Sequence, residues 1–310
     1  MKAIHTPVLV EELIHHLAPR KGGELMVDAT VGEGGHSYAF LSRFPDLTII
    51  GVDVDPTIQE IARKRLGEFG DRIRFHTGWA QDFCKAYPEG ARRPDSILID
   101  LGISLFHYEK SGRGFSFRKD EALDMRLDPA LGPGAAELIA TLGERELADL
   151  LFRNAEERYS RRIARAIVEA RKQGALRSSR ALGELVEQAV PASYRNGPIH
   201  AASKTFLALR IAANGELARL GDLLGAALRV LEPGGRLAVI SFHGLEHRAV
   251  REFFRSRARG STGPQDAPIH DGVGVVLKGQ GPTEAERRAN PPSRSARLWV
   301  AEKIVDKDGP

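Results

Sequence analysis

Cysteine is almost missing from this chain: 310 residues contain one, Cys84. A single thiol can form neither an internal disulfide nor a multi-cysteine zinc site. Stability must then come from an ordinary apolar core, and a reducing compartment is expected. No stretch approaches the roughly 18 consecutive apolar residues of a membrane span. Met1 is followed by Lys2 and a stretch with His and Glu instead of a long apolar segment, so no secretory leader is expected. The cytoplasm is therefore the expected location. Internal repeats and long low-complexity tracts are also missing, which excludes solenoid and fibrous architectures. Lysine is scarce beside arginine, 11 against 34.

What is present suits a folded α/β protein. With 42% hydrophobic and 28% charged residues the chain can bury a sizeable core. Its length fits one large domain or two ordinary ones. The net charge of +4 is unevenly spread. Residues 153–180 hold 9 basic and 3 acidic side chains, and residues 236–297 hold 11 and 6, so the remainder is net −7. Arginine pairs with phosphate in planar, bidentate fashion. Two basic regions therefore fit nucleic-acid binding, and equally fit solvated helix faces in an arginine-rich chain.

Continuous apolar runs at 25–30, 47–52, 73–76 and 96–99 alternate with helical patterns, the signature of buried parallel strands. From 106 to 204 the alternation stops and helical spacing takes over, at 135–152, 156–173 and 179–189. Residues 205–231 read as one long amphipathic helix closed by Pro233-Gly234-Gly235, and 236–242 as a fifth strand. A helix is expected at 245–257, a loop at 260–268, and a closing antiparallel pair at 273–277 and 296–305. The pattern predicts a doubly wound α/β domain made of residues 1–105 and 206–310, with a helical domain of residues 106–205 inserted into it.

Chemistry-bearing residues collect at the ends of the strands. Gly32-Glu33-Gly34-Gly35 follows the first strand and opens a helix. Asp53 ends the second strand, 21 residues after Gly32, a spacing at which a carboxylate accepts both hydroxyls of a ribose. A third glycine of the dinucleotide fingerprint would fall at Ser37, so NAD and FAD are disfavoured. A plain strand-to-helix turn explains the same glycines. Trp79 and Asp82 follow the third strand. They fit an adenine face and its amine, or a core-edge aromatic and a helix cap. Asp100 ends the fourth strand, where ligands of open α/β sheets bind; a capping aspartate in the Leu101-Gly102 turn is the alternative. His243-Gly244-Leu245-Glu246-His247 matches the inverted zinc-peptidase pattern. However, a strong strand precedes His243 and a helix follows it, so the two histidines do not share one helix face. No metal is expected.

Several segments, in order along nearly the whole chain, resemble the ribosomal RNA small subunit methyltransferase H family. They include His5-Thr6-Pro7-Val8-Leu9, Asp28-Ala29-Thr30, Gly34-Gly35-His36-Ser37, Asp53-Val54-Asp55-Pro56 and Asp100-Leu101-Gly102-Ile103-Ser104. Arg113-Gly114-Phe115-Ser116-Phe117, Leu123-Asp124-Met125-Arg126, Tyr159-Ser160-Arg161-Arg162, Ala208-Leu209-Arg210-Ile211, Ile240-Ser241-Phe242-His243 and Ser293-Arg294-Ser295-Ala296 complete the series.

The resemblance implies a class I (Rossmann-like) methyltransferase fold with a helical substrate-recognition insert. It implies S-adenosyl-L-methionine as cofactor and 16S rRNA of the small ribosomal subunit as partner. The implied reaction is methylation of the exocyclic N4 of a decoding-site cytidine. By position it assigns the cofactor to Gly34, Gly35, His36, Asp53, Trp79, Asp100 and His107, beside Gly32 and Asp82 from the reading above. Trp79 stands where the family usually has Phe. Leu105-Phe106-His107 replaces the usual Ser-Pro-Gln, Ala201 and Ala202 follow His200 where Pro and Ala are usual, and His247 replaces Asp.

Transfer to an exocyclic amine needs positioning more than acid–base help. Asp100 is the natural acceptor for the amine N–H bonds, with the Ser104 hydroxyl as a second contact. Phe106, His107 and Tyr108 are candidates to stack on the target base, or to pack their loop. Arg113, Arg118 and Arg126 are candidates for phosphate or the methionine carboxylate, and Arg294 and Arg297 for phosphate; surface ion pairs are the alternative. His243 is expected to face RNA or solvent. Cys84, in the helix after the third strand, is too remote for the covalent chemistry of C5 methylation. A catalytically weak assembly factor of the same fold, or an N-methyltransferase for another target, fits the same residues.

Overall fold

A computed structural model describes residues 6–174, 176, 178–258 and 272–304. The chain divides into two compact units, residues 1–103 with 217–310, and residues 104–216. The loop expected at 260–268 lies outside the described residues.

The first unit is built on seven strands: β1 Leu25–Asp28, β2 Thr48–Asp53, β3 Ile73–Thr77, β4 Ser96–Asp100, β5 Arg236–Ser241, β6 Val273–Gln280 and β7 Arg297–Lys303. Their order across the sheet is β3-β2-β1-β4-β5-β7-β6. The first five are parallel, and β7 runs antiparallel to both β5 and β6. This is the expected doubly wound sheet with a C-terminal antiparallel pair.

Strand side chains alternate between two apolar layers. Met26, Leu98, Ala238 and Ile240 face the layer completed by Leu13, Leu17, Phe40 and Leu41. Val27, Ile97, Ile99, Leu237 and Val239 face the layer completed by Cys84, Leu220, Leu224, Leu228, Val250 and Phe254. Burial on both faces is why these strands read as continuous apolar runs. It also brings Asp28, Asp53 and Asp100 to one edge, because each is the last residue of a parallel strand.

The second unit is helical, and among its described residues there is no strand. Glu144–Ala155 packs against both Ser160–Lys172 and Ser203–Asn214, with Leu147, Leu151, Ile163, Ile167 and Leu209 buried. The polar face of Ser160–Lys172 carries exposed Arg161, Arg162 and Arg165.

Three expectations need correction. The helix expected over 135–152 is two, Ala135–Thr141 and Glu144–Ala155, because Gly143 takes the extended N-cap position and Glu146 accepts its N–H at 2.8 Å. The helix expected over 205–231 is also two, Ser203–Asn214 and Glu216–Val230. Gly215 between them has φ +61°, a left-handed turn that ends a helix. The insert therefore runs to Glu216 rather than 205, since Ser203–Asn214 packs inside the helical unit. No helix among the described residues is long and apolar enough to cross a membrane.

Candidate active site

The edge formed by β1, β2 and β4 is held together by backbone groups before any side chain is considered. Ala29 N donates to the Leu98 carbonyl and Val31 N to the Val52 carbonyl, both at 2.8 Å. The Asp100 N–H donates to Thr30 Oγ1 at 2.7 Å, tying the turn after β1 to the end of β4.

Asp53 sits at the centre of its own small network. Its Oδ2 accepts from Gly32 N at 2.8 Å and its Oδ1 from Asp55 N at 3.0 Å. Its carbonyl accepts from Gly78 N at 2.8 Å, which places Trp79 one residue away. Trp79 N-caps the short helix Ala80–Lys85. The Arg219 guanidinium lies 4.5 Å from the centre of its ring, and among the described residues the buried Trp79 Nε1 has no hydrogen-bond partner. Asp82 is exposed in the first turn of that helix, where its charge suits the helix dipole but makes no side-chain cap.

The glycines divide by purpose. A Cβ at Gly32 would meet only the Thr30 carbonyl oxygen, at 3.9 Å, so this position borders open space. A Cβ at Gly34 would come within 2.9 Å of Leu66 Cδ1, and one at Gly35 within 3.2 Å of Pro7. At Gly34, which has φ +77°, and at Gly35 the protein's own packing favours a residue without a side chain.

His36, Asp28 and Asp100 form a second cluster. His36 Nε2 lies 2.8 Å from the Val8 carbonyl oxygen, which can only accept, so this nitrogen carries the proton. Nδ1 then faces Asp100 Oδ2 at 3.7 Å. The other Asp100 oxygen accepts from Gly102 N at 2.9 Å. The Asp100 side chain is only 19% exposed. Burial pushes its carboxyl up to about 6, assisted by the nearby Asp28 and Glu246 carboxylates and opposed by His36 and the Gly102 N–H. Asp28 is fully buried, and burial raises it as well, against the Ser37 hydroxyl that donates to Oδ2 at 2.6 Å. Ser37 thus occupies the third-glycine position of a dinucleotide fingerprint in order to satisfy a buried carboxyl. Neither Thr30 nor Ser37 was identifiable as part of the site, because each acts through a partner distant in sequence.

The H-x-x-E-H segment has local structural work. His243 N-caps the helix Gly244–Ser256, its Nδ1 accepting from Glu246 N at 3.5 Å. Buried Glu246 accepts from Phe242 N at 2.7 Å and from His243 N at 3.3 Å. His247 Nδ1 is 2.7 Å from Ser241 Oγ, which accepts from Trp299 Nε1 at 2.9 Å. Burial lowers the basicity of His247. Arg294 is exposed on the short 3-10 turn Pro291–Ser295.

In the helical unit, Ser104 N-caps Leu105–Glu109, its oxygen accepting from Phe106 N at 3.0 Å. His107 is buried against the rings of Phe106 and Phe115, at centroid distances of 5.8 and 5.3 Å. Arg113 donates to the carbonyls of Arg126 and Leu127. Arg126 grips Asp124 Oδ1 at 2.5 Å and the carbonyls of Pro129, Leu131 and Gly132. Both guanidiniums clamp their own loop. The sequence offered no signal for Asn214. This buried amide donates to the Met125 carbonyl at 2.8 Å and accepts from Leu127 N at 2.7 Å. It thereby secures Met125 in a left-handed conformation (φ +59°) that a non-glycine residue seldom adopts.

The edge of the first unit fits an adenosine. Asp53 supplies a diol acceptor, Gly32 a backbone that permits close approach, and Trp79 a half-buried indole with an unsatisfied donor. A model of the MraW methylase family matches residues 2–304. The chain is 51% identical over 310 residues to the ribosomal RNA small subunit methyltransferase H of Treponema denticola, covering 98% of each chain. It is 43% identical over 307 residues to the protein of that name from Syntrophobacter fumaroxidans, covering 96% of each. On these matches the chain belongs to the MraW methylase family.

Proposed function

We propose that this chain transfers a methyl group from S-adenosyl-L-methionine to the exocyclic N4 of a cytidine at the decoding site of 16S rRNA, acting on the small ribosomal subunit in the cytoplasm. The observation that carries the chemistry is the Asp100 carboxyl, fixed by the Gly102 N–H at the end of β4 with His36 3.7 Å from its other oxygen. When bound, the cofactor supplies an electrophilic methyl on a sulfonium. Asp53 holds the ribose hydroxyls, Gly32 lets the backbone close on the ligand, and Trp79 borders the base. Glu33 and His36 flank the same turn.

Asp100 accepts an N–H of the target amine, which orients the nitrogen lone pair for in-line attack. The amine proton leaves to water after transfer. Attack through carbon C5 would require a thiolate on the base. Cys84 is buried, and desolvation pushes its thiol up to about 12, which supports nitrogen over carbon as the acceptor. The insert, residues 104–216, serves substrate recognition in this reading, with Ser104, Phe106 and His107 at its entry and the arginines of Ser160–Lys172 on its exposed face. The target base must be unstacked before reaction, at a cost of a few kcal/mol.

The test is incubation of the protein with methyl-labelled cofactor and 30S subunits, followed by mass spectrometry of nuclease fragments. Label on N4 of one cytidine is expected. Cofactor binding without transfer would favour a ribosome-binding assembly factor, which the replaced Ser-Pro-Gln segment at 105–107 keeps in view. Label on another atom or molecule would assign a different target.

A further inference from the structure

The helical unit contains a pocket that the proposed chemistry does not use. It has a volume of about 390 Å³ and is walled by Phe117, Arg118, Arg180, Glu184, Glu187 and His200. Phe117 and His200 are stacked, with ring centres 4.0 Å apart and planes at 13°. The Phe206 ring meets Phe117 edge-on at 5.3 Å. Gly183 permits this arrangement: a Cβ there would lie 2.8 Å from Phe117 Cβ, so any larger residue would push the Phe117 segment off the helix Ser179–Ala189.

The imidazole is fixed at both nitrogens. His200 Nδ1 accepts from Ala202 N at 3.2 Å, and Nε2 lies 2.8 Å from Glu187 Oε1. One ring face is covered by Phe117, and the side chain, 37% exposed, lines the pocket. The exposed guanidiniums of Arg118 and Arg180 line the same pocket, and among the described residues neither is ion-paired. A flat, rigid aromatic face beside two available cations matches a base joined to a phosphate. Glu184, also on the wall, is an acceptor for the N–H groups of a base.

We infer that this pocket binds an unpaired nucleotide of the RNA substrate, its base stacked on His200 and its phosphate met by Arg118 and Arg180. This is a second RNA contact, separate from the base that is methylated, and it rests on the proposed rRNA activity. It orders a neighbouring strand segment and so acts on substrate affinity.

His200→Ala is expected to raise KM for 30S subunits about tenfold, the scale of one lost base stack. His200→Phe keeps the flat face, loses both nitrogen contacts, and should recover most of the affinity. Arg118→Ala combined with Arg180→Ala should weaken binding and flatten its salt dependence. Circular dichroism and melting curves of every variant verify folding. Fluorescence anisotropy with a labelled single-stranded RNA octanucleotide measures the same pocket without methyl transfer. Competition by poly-uridine but not by polyglutamate is expected. Failure of the wild type to methylate 30S subunits would refute the functional reading, while the oligonucleotide arm still judges the pocket. The inference is overturned if His200→Ala binds RNA like the wild type. Equal damage in His200→Ala and His200→Phe would make His200 a loop fastener, and equal competition by polyglutamate would assign the pocket to acidic polypeptide; either result also overturns it.

Discussion

The two units use charged side chains in opposite ways. In the α/β unit, carboxylates stand at strand ends and are held by backbone N–H groups or a hydroxyl: Asp53 by Gly32 and Asp55, Asp100 by Gly102, Asp28 by Ser37. In the helical unit, two of the candidate arginines, Arg113 and Arg126, bind their own loop. Arg161, Arg162 and Arg165 instead project from a helix face. Charge at a sheet edge is therefore placed by topology, and its role follows from position. Charge in an insert of loops and helices has no such address, and its role depends on which carbonyls lie nearby.

That contrast can be broken most severely at Asp100. Asp100→Ala is expected to lower methyl transfer on the order of a hundredfold with little change in cofactor affinity. Steady-state kinetics on 30S subunits measures both, and unaltered turnover would remove Asp100 from the reaction. Asp53→Ala should show the reverse split. Loss of a charged acceptor from two or more hydrogen bonds amounts to about 2–3 kcal/mol, or roughly 30-fold to 150-fold weaker Kd by calorimetry. If both variants lose affinity equally, the edge does not separate binding from chemistry.

The pH dependence sharpens the same contrast. The folded carboxyl of Asp100 titrates near 6, above its ordinary value of 3.8. The acceptor form is thus present above pH 6, and transfer should fall as pH drops through about 6. For stability the direction is opposite. A raised carboxyl favours the protonated folded state, so its cost is absent below pH 4, builds between 4 and 6, and stays at about 3 kcal/mol above that. Asp100→Asn should raise the melting temperature at pH 7.5 and leave it nearly unchanged at pH 4; an equal shift at both pH values would contradict the burial effect.

In the insert, Asn214→Ala strands the Met125 carbonyl and the Leu127 N–H, at a cost of about 2 kcal/mol in chemical denaturation. Ser37→Ala is the smallest of the set. It removes one hydrogen bond from Asp28, for about 1–2 kcal/mol in chemical denaturation, and by raising that carboxyl further it should shift the pH of greatest stability slightly downward.

The strands were legible because double-sided burial demands unbroken apolar runs, as at 97–99 and 237–240. Asp53 and Asp100 were legible for the related reason that a parallel strand's last residue must lie on the ligand edge. The breaks at Gly143 and Gly215 were not, since an isolated glycine inside a helical pattern is often tolerated. The roles of Arg126 and Asn214 were hidden because their partners are main-chain carbonyls and amides, which every residue has. Gly34 and Gly35 carried the motif of a ligand turn, and their packing against Leu66 and Pro7, distant or unmarked in the sequence, was hidden.

Cys84 has a practical consequence for anyone who handles the protein. Its thiol is buried and pushed up to about 12, so almost none of it is thiolate at neutral pH. Maleimides should leave the wild type essentially unlabelled. A cysteine introduced at Arg145, which is exposed, would then take a fluorophore or spin label as the sole reactive thiol, without first constructing a cysteine-free background. The chain's poverty in cysteine makes it ready for single-site spectroscopy of RNA engagement.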